Sequence, residues 1–211
     1  MGDVAARRMS ELGLFPLPLV LLPTERVPLH IFEERYRELI GECLDSGGEF
    51  GLVFADDEGI RDIGTRARIT EVLARMADGR MDILVEGGAR FRLLELTTGR
   101  SFHTGEVAPV EDEEDRASSE SIERALSFFD RLRELTGSDV DVPEADAAQL
   151  SFVLAGRVEF SPDDKLRLLR EVSERRRMDL VCELLEHATA TARRVRGAAE
   201  RAATNGRVHL G

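Results

Sequence analysis

Prolines at positions 16, 18, 23 and 28 punctuate the apolar segment Leu14 to Ile40, LFPLPLVLLPTERVPLHIFEERYRELI. Each proline lacks an N–H and disfavours helix in the residue before it, so the chain stays extended up to Phe32. From Glu33 to Leu44 the pattern changes. Tyr36, Leu39, Ile40, Cys43 and Leu44 fall on one helical face, and Gly47-Gly48 stops the helix. A chain that places so much extended apolar sequence ahead of its first helix must either bury that segment or offer it to a partner.

The texture from residue 12 to 110 is strand-like apart from that helix. Phe50–Phe54 is a short buried strand. Ala67, Ile69, Val72 and Leu73 lead into Asp78-Gly79, which suits a type I′ hairpin turn, and then into Ile83–Val85. Broken alternation at Glu71–Leu73 predicts a bulge. Gly87-Gly88, Arg90–Leu96 and Phe102–Val110 complete a set of short strands whose spacing predicts a small barrel. Glu111–Asp115 is five acids in a row, a solvated linker by composition. Helices follow. One has Ile122, Leu126, Phe129, Leu132 and Leu135 on its face and ends at Gly137. A second spans Pro143–Val158. A third starts at Ser161-Pro162 and runs to about Arg196, with a break near Ser173. Residues 188–211 hold five arginines against one glutamate. The expected division is therefore a loose start over residues 1–11, a barrel at 12–110, a helical part at 116–196 and a flexible basic tail at 197–211, an α+β protein.

Forty-one acidic against 29 basic residues give a net charge of −12, which argues against a free nucleic acid as partner. No apolar run approaches a membrane span, and no signal-peptide pattern follows Arg7-Arg8, so a cytoplasmic location is expected. Cys43 and Cys182 lie far apart on apolar helical faces and read as buried hydrophobes. There is no P-loop, GxGxxG or HExxH. The histidines, His30, His103, His187 and His209, share no ligand spacing, so no metal and no cofactor are expected. Lys165 is the sole lysine and has no recognisable serine partner. His30, between Leu29 and Ile31, reads first as a hydrogen-bonding residue before the helix and second as a ligand contact.

LFPLPLVLLP, VPLHIFEERYRELI, FGLVF and IGTRARITEVLARMADGRMDILVEGGARFRLLEL, in that order, resemble the N-terminal domain of Lon proteases. The nearest likeness is to the bacterial group in which this domain stands alone. SFVLAGRVEFSPDDKLRLLREVSERRRMDLVCELLEH resembles the helical half of the same domain. Two positions depart from the family pattern: Thr24 stands where glycine is usual, and Glu34 where proline is common. The ATPase and Ser–Lys protease modules of Lon are absent. The resemblance implies a PUA-like β-barrel with one inserted helix, followed by an α-helical bundle. It implies a non-catalytic role, with unfolded or damaged polypeptides, and through them a protease or chaperone, as partners. Leu17, Leu19, Leu21, His30 and Phe32 are the expected peptide-binding residues, along the Pro-rich first strand or in a groove between barrel and bundle. The alternative is RNA binding by a PUA-like barrel through Arg66, Arg68, Arg75, Arg80, Arg90 and Arg92; a hydrolase with an unrecognised site is a third reading.

Overall fold

A computed structural model describes residues 10–205, with side chains up to Ala199 and at Arg201. Strands β1 (Ser10–Leu17) and β2 (Arg26–Ile31) precede α1 (Glu34–Ser46). Then come β3 (Phe50–Asp56), β4 (Gly59–Arg75), β5 (Met81–Thr97) and β6 (His103–Pro109). The chain ends in α2 (Ser119–Thr136), α3 (Leu150–Ala155), α4 (Pro162–Arg170) and α5 (Glu174–Asn205). The α+β class and its barrel are as expected.

The strands lie in the order β2-β5-β4-β3-β1-β6, and β5 also pairs with β6. Closure therefore involves five strands and leaves β2 outside as an edge. The long hairpin β4–β5 makes this possible. Residues 81–86 of β5 pair with β2, whereas residues 91–97 pair with β6. Bulges in β4 at Ile69/Glu71 and Val72/Ala74 bend the outer half away from the barrel. The hairpin turn is not type I′. Gly79 alone takes a positive φ, 86°, with Met76 N–H bonded to Arg80 C=O, so the loop is Ala77-Asp78-Gly79 with its left-handed residue last.

Helix ends follow the sequence. Gly47 and Gly137 terminate α1 and α2 in the left-handed conformation. The Ser161 hydroxyl caps α4 through Asp164 N–H, with Pro162 in its first turn. The expected helix at residues 143–158 is cut to Leu150–Ala155, because the acid-rich, proline-containing stretch before it is irregular and Gln149 takes a φ of 54°. Helix α5 continues past residue 197, the expected start of the tail, to Asn205. Residues 1–9 of the loose start, residues 206–211 of the tail, and His209 lie outside the described residues.

The Pro-rich segment does not line a groove between barrel and bundle; it fills that space. Val20 and Leu22 belong to one core with Phe54 and Ile63 of the barrel and Leu150, Phe152, Leu168 and Met178 of the helices. Leu21, one residue between them, points the other way, into the barrel core with Phe15, Phe50 and Val85. Alternation along an extended chain puts adjacent side chains on opposite faces, so one segment serves both cores. Polar contacts lock it. Thr65 Oγ1 donates to Leu21 C=O at 2.6 Å. Leu22 N–H donates to Glu25 Oε2 at 2.8 Å, and Lys165 Nζ reaches Glu25 Oε1 at 2.5 Å. The single lysine is thus half of a mostly buried ion pair joining the barrel to α4.

Thr24 closes this turn at a φ of 67°, donating its N–H to Gly87 C=O at 2.8 Å. A β-branched residue is strained there, which explains why the related pattern has glycine. Thr24→Gly should therefore raise stability by about 0.5–1 kcal/mol, the relieved strain less the freedom glycine adds to the unfolded chain. Urea denaturation should show a higher midpoint with an unchanged slope. Glu34, the other departure, is the first residue of α1, a position where proline is equally suited.

The acidic run is largely exposed and irregular, as a solvated linker should be, but it is held in place. Asp112 binds Arg90 and Arg177. Glu113 N–H donates to Val172 C=O, and Asp115 accepts from Ser173 and Arg175. Its carboxylates stay at the surface, but three of them are pinned by arginines of β5 and α5.

Candidate functional site

The outer half of the hairpin forms a three-stranded wing, β2-β5-β4. Its inner face is closed. Leu29, Ile31, Met81, Ile83 and Val85 pack there with Tyr36, Leu39, Ile40 and Cys43 of α1. Arg37 of α1 holds the hairpin tip by donating to Asp78 C=O at 2.8 Å. The opposite face is open to solvent. Cross-strand register sets its rows: Arg26–Glu86–Arg68, then Pro28–Leu84–Glu71, then His30–Asp82–Ala74.

The first row is an ion-pair line, with Glu86 bonded to both arginines. The carboxyl of Glu86 lies below its ordinary value chiefly because Arg26 donates a hydrogen bond to it. Beyond it apolar Pro28, Leu84 and Ala74 share the face with Glu71, His30 and Asp82. His30 Nδ1 meets Asp82 Oδ1 at 2.6 Å, which fixes the imidazole, and the ring stacks on Phe32 with centroids 5.8 Å apart. Phe32 is 59% exposed, and Leu73, in the bulge beside Ala74, is 48% exposed. Phe32 is exposed because the chain must leave β2 and turn into α1 one residue after Ile31 anchors the core.

Strand β2 has β5 on one side and no strand partner on the other among the described residues. Pro28 is tolerated mid-strand for that reason. This wing therefore combines a free strand edge with an exposed aromatic, a pairing suited to an extended apolar segment.

The five residues expected from sequence divide three ways. His30 and Phe32 are together on the wing. Leu17 and Leu19 are half-buried against the barrel core and lie away from these rows. Leu21 is 1% exposed in that core and cannot contact a ligand; this corrects the expectation, and its cause is the alternation that turns Val20 and Leu22 to the helices. Leu73 and Leu84 were not singled out from sequence. The irregular alternation at Glu71–Leu73 was the available signal, since a bulge re-aims the side chain it contains.

Four of the six arginines that an RNA-binding face would need are held in ion pairs, whereas Arg66, which donates to the Ser10 hydroxyl, and Arg75 have no acidic partner among the described residues. Arg68 pairs with Glu86, Arg80 with Asp78, Arg92 with Asp62, and Arg90 is buried on Asp112. Both cysteines are buried. Burial, with a contribution from Glu42, pushes the Cys43 thiol up to about 11, and burial raises Cys182 as well, so neither is a thiolate at neutral pH. Among the described residues no helix is long and apolar enough to cross a membrane, and no three His, Cys, Asp or Glu side chains gather as a metal site.

Residues 11–187 match the family model of the ATP-dependent protease La (LON) substrate-binding domain. Lon protease 2 of Myxococcus xanthus is 30% identical over 194 residues, 80% of this chain and 23% of its own length. A Lon protease of Brucella melitensis is 27% identical over 198 residues. The chain thus spans about a quarter of the length of these curated relatives. Among solved structures, a Lon N-terminal domain protein from Xanthomonas campestris superposes with a TM-score of 0.64 at 30% identity, covering 81% of this chain and 95% of that one. The N-terminal domain of a Mycobacterium avium complex Lon protease gives the same TM-score at 19% identity, covering 86% and 98%.

Proposed function

The chain belongs to the Lon substrate-binding domain family, and on that premise we propose that it binds exposed apolar segments of unfolded or damaged polypeptides through the outer face of the β2-β5-β4 wing. It acts without catalysis, in the cytoplasm, and presents such polypeptides to a protease or chaperone. The observation that carries this reading is Phe32, a phenylalanine left 59% exposed and stacked on His30 beside an unpaired strand edge. A large aromatic side chain held in place beside an open strand edge suits the role of an interaction anchor. Pro28 removes one donor from the middle of the edge, so the edge favours a short extended segment over a long added strand. In this proposal residues 12–110 form the binding part, and residues 116–196 brace it through the shared core.

Phe32→Asp tests the reading. Burying the exposed part of a phenylalanine contributes roughly 1–2 kcal/mol, and a carboxylate in its place adds a desolvation cost. Affinity for a reduced, unfolded model protein should fall about 10-fold or more, while the far-UV circular dichroism and melting curve stay those of the parent. Raising salt from low to physiological should leave the parent affinity nearly unchanged, because apolar burial is insensitive to moderate salt and phosphate contacts are not. Unaltered affinity in the variant removes this face from the function. Tight RNA binding that collapses with salt, without polypeptide binding, would favour the RNA reading instead.

A further inference from the structure

We propose that the groove between α2 and α5 is a second polypeptide site, one that selects apolar segments flanked by Lys or Arg. The proposal rests on the reading of the chain as a polypeptide binder and adds a place and a charge preference to it. Helices α2 and α5 run side by side in the same direction: Cys182 Sγ lies 3.3 Å from Ser121 C=O, and Thr189 Oγ1 lies 3.4 Å from Phe128 C=O. On one flank of this pair is an open cavity of about 890 Å³. That volume lies within the roughly 300–1,000 Å³ of ligand sites. Leu132, Phe160 and Leu184 make its floor, each packed against the helical core yet only half covered. Val140, in the loop after α2, is an exposed apolar wall.

The charges around the groove lean acidic once internal pairing is counted. Arg133 is held by Asp130 at 2.7 Å and Arg167 by Asp164 at 3.3 Å. Arg157 donates to the carbonyl of Asp141 and keeps its charge, which offsets one of the carboxylates nearby. Glu159 and Glu183 line the cavity, and Asp139 and Asp141 flank Val140; none of these four carboxylates has an ion-pair partner among the described residues. Four unpaired carboxylates against the one unpaired Arg157 leave the rim net acidic, and an apolar floor under such a rim complements a segment whose middle is apolar and whose ends are basic.

Three labelled peptides and fluorescence anisotropy test this at low salt. One has a Leu/Val/Phe core with two arginines at each end, the second has glutamates at the ends, and the third has arginine ends on a Gly/Ser core. The first should bind about 10-fold more tightly than either of the others, through both charge and apolar burial. Glu159→Lys/Glu183→Lys changes two exposed side chains and should abolish or reverse the preference for arginine ends. Phe32→Asp should leave that preference intact. A double variant that keeps the parental preference, or a preference lost in Phe32→Asp instead, overturns the groove while leaving the wing to be judged on its own. Absence of binding by any peptide or by the unfolded model protein would reject both.

Discussion

Arg177→Met should lower the stability of the protein by about 3–5 kcal/mol, the usual penalty for removing one side of a buried ion pair. Arg177 is fully buried, and every guanidinium donor is used. Nε bonds Ser151 Oγ at 2.8 Å; Nη1 bonds Asp112 at 2.9 Å and Glu171 C=O at 2.7 Å; Nη2 bonds Asp112 at 2.7 Å and also Glu174. Its plane lies over the Phe152 ring at 4.0 Å, and Arg90 approaches the same ring at 5.3 Å. One residue therefore ties α5, α3, the acidic run and the turn after α4, and Arg90 adds β5. Methionine would match the volume and leave Asp112 and Glu174 undercompensated. Arg177→Lys should fail as well, because an ammonium cannot reproduce the planar fork.

The same cluster fixes the response to acid. Burial alone would raise the Asp112 carboxyl, but the hydrogen bonds and charge of Arg177, with the charge of Arg90, outweigh it and hold the group below its ordinary value. Burial pushes Arg90 down in turn, against the pull of Asp112, yet a guanidinium stays charged throughout. A depressed carboxylate contributes stability above its unfolded value, near pH 4, and loses it as pH falls through the lower folded value. Urea midpoints of the parent should accordingly drop below pH 4, and the drop should be shallower in Arg177→Met. An unfolding free energy for Arg177→Met within about 0.5 kcal/mol of the parent at pH 7 would contradict the role given to this cluster.

Gly87→Ala should be comparably damaging, costing about 3 kcal/mol or more. A Cβ at Gly87 would stand 2.0 Å from Leu22 C=O and 2.9 Å from its carbonyl carbon. The obstacle is backbone, and it cannot yield without breaking the Thr24 N–H bond to Gly87 C=O and the Gly87 N–H bond to Glu25 C=O. The turn that would move is the one that carries Val20 and Leu22 into the helical core. Gly88→Ala is the control: its nearest neighbour would be Arg66 C=O at 3.4 Å, an ordinary contact. Soluble yield and thermal melting of the pair should separate them. Equal stability of the two variants would mean that the turn is not held as tightly as its geometry requires.

Periodicity made the helices and strands legible, and Asp78-Gly79, Gly137 and Ser161-Pro162 marked their ends. The destination of the Pro-rich segment was not legible. Prolines declare an extended chain but not which side of it is covered, and Leu17 to Leu22 is apolar on both sides. That pattern fits a strand offered to a ligand and one sandwiched between two cores equally well. Glu111–Asp115 is largely exposed outside any regular element, as its composition predicts. That Arg90, Arg175 and Arg177, distant in sequence, hold the run down was not legible from local composition. His30 and Phe32 were readable as site residues because they sit where a strand must break into a helix. Leu73 depends on a bulge whose facing residue is set only by pairing with Asp82.

The most direct test of the central claim is a footprint. Backbone amides of the isotopically labelled protein should be followed by NMR while a reduced, unfolded model protein is titrated in. Binding to the wing predicts shifts and slowed hydrogen exchange at Arg26–Phe32, at Leu73 and Ala74 and at Asp82–Leu84, with the buried turn at Val20–Leu22 unchanged. Saturable binding that leaves β2 and the hairpin tip undisturbed would contradict it.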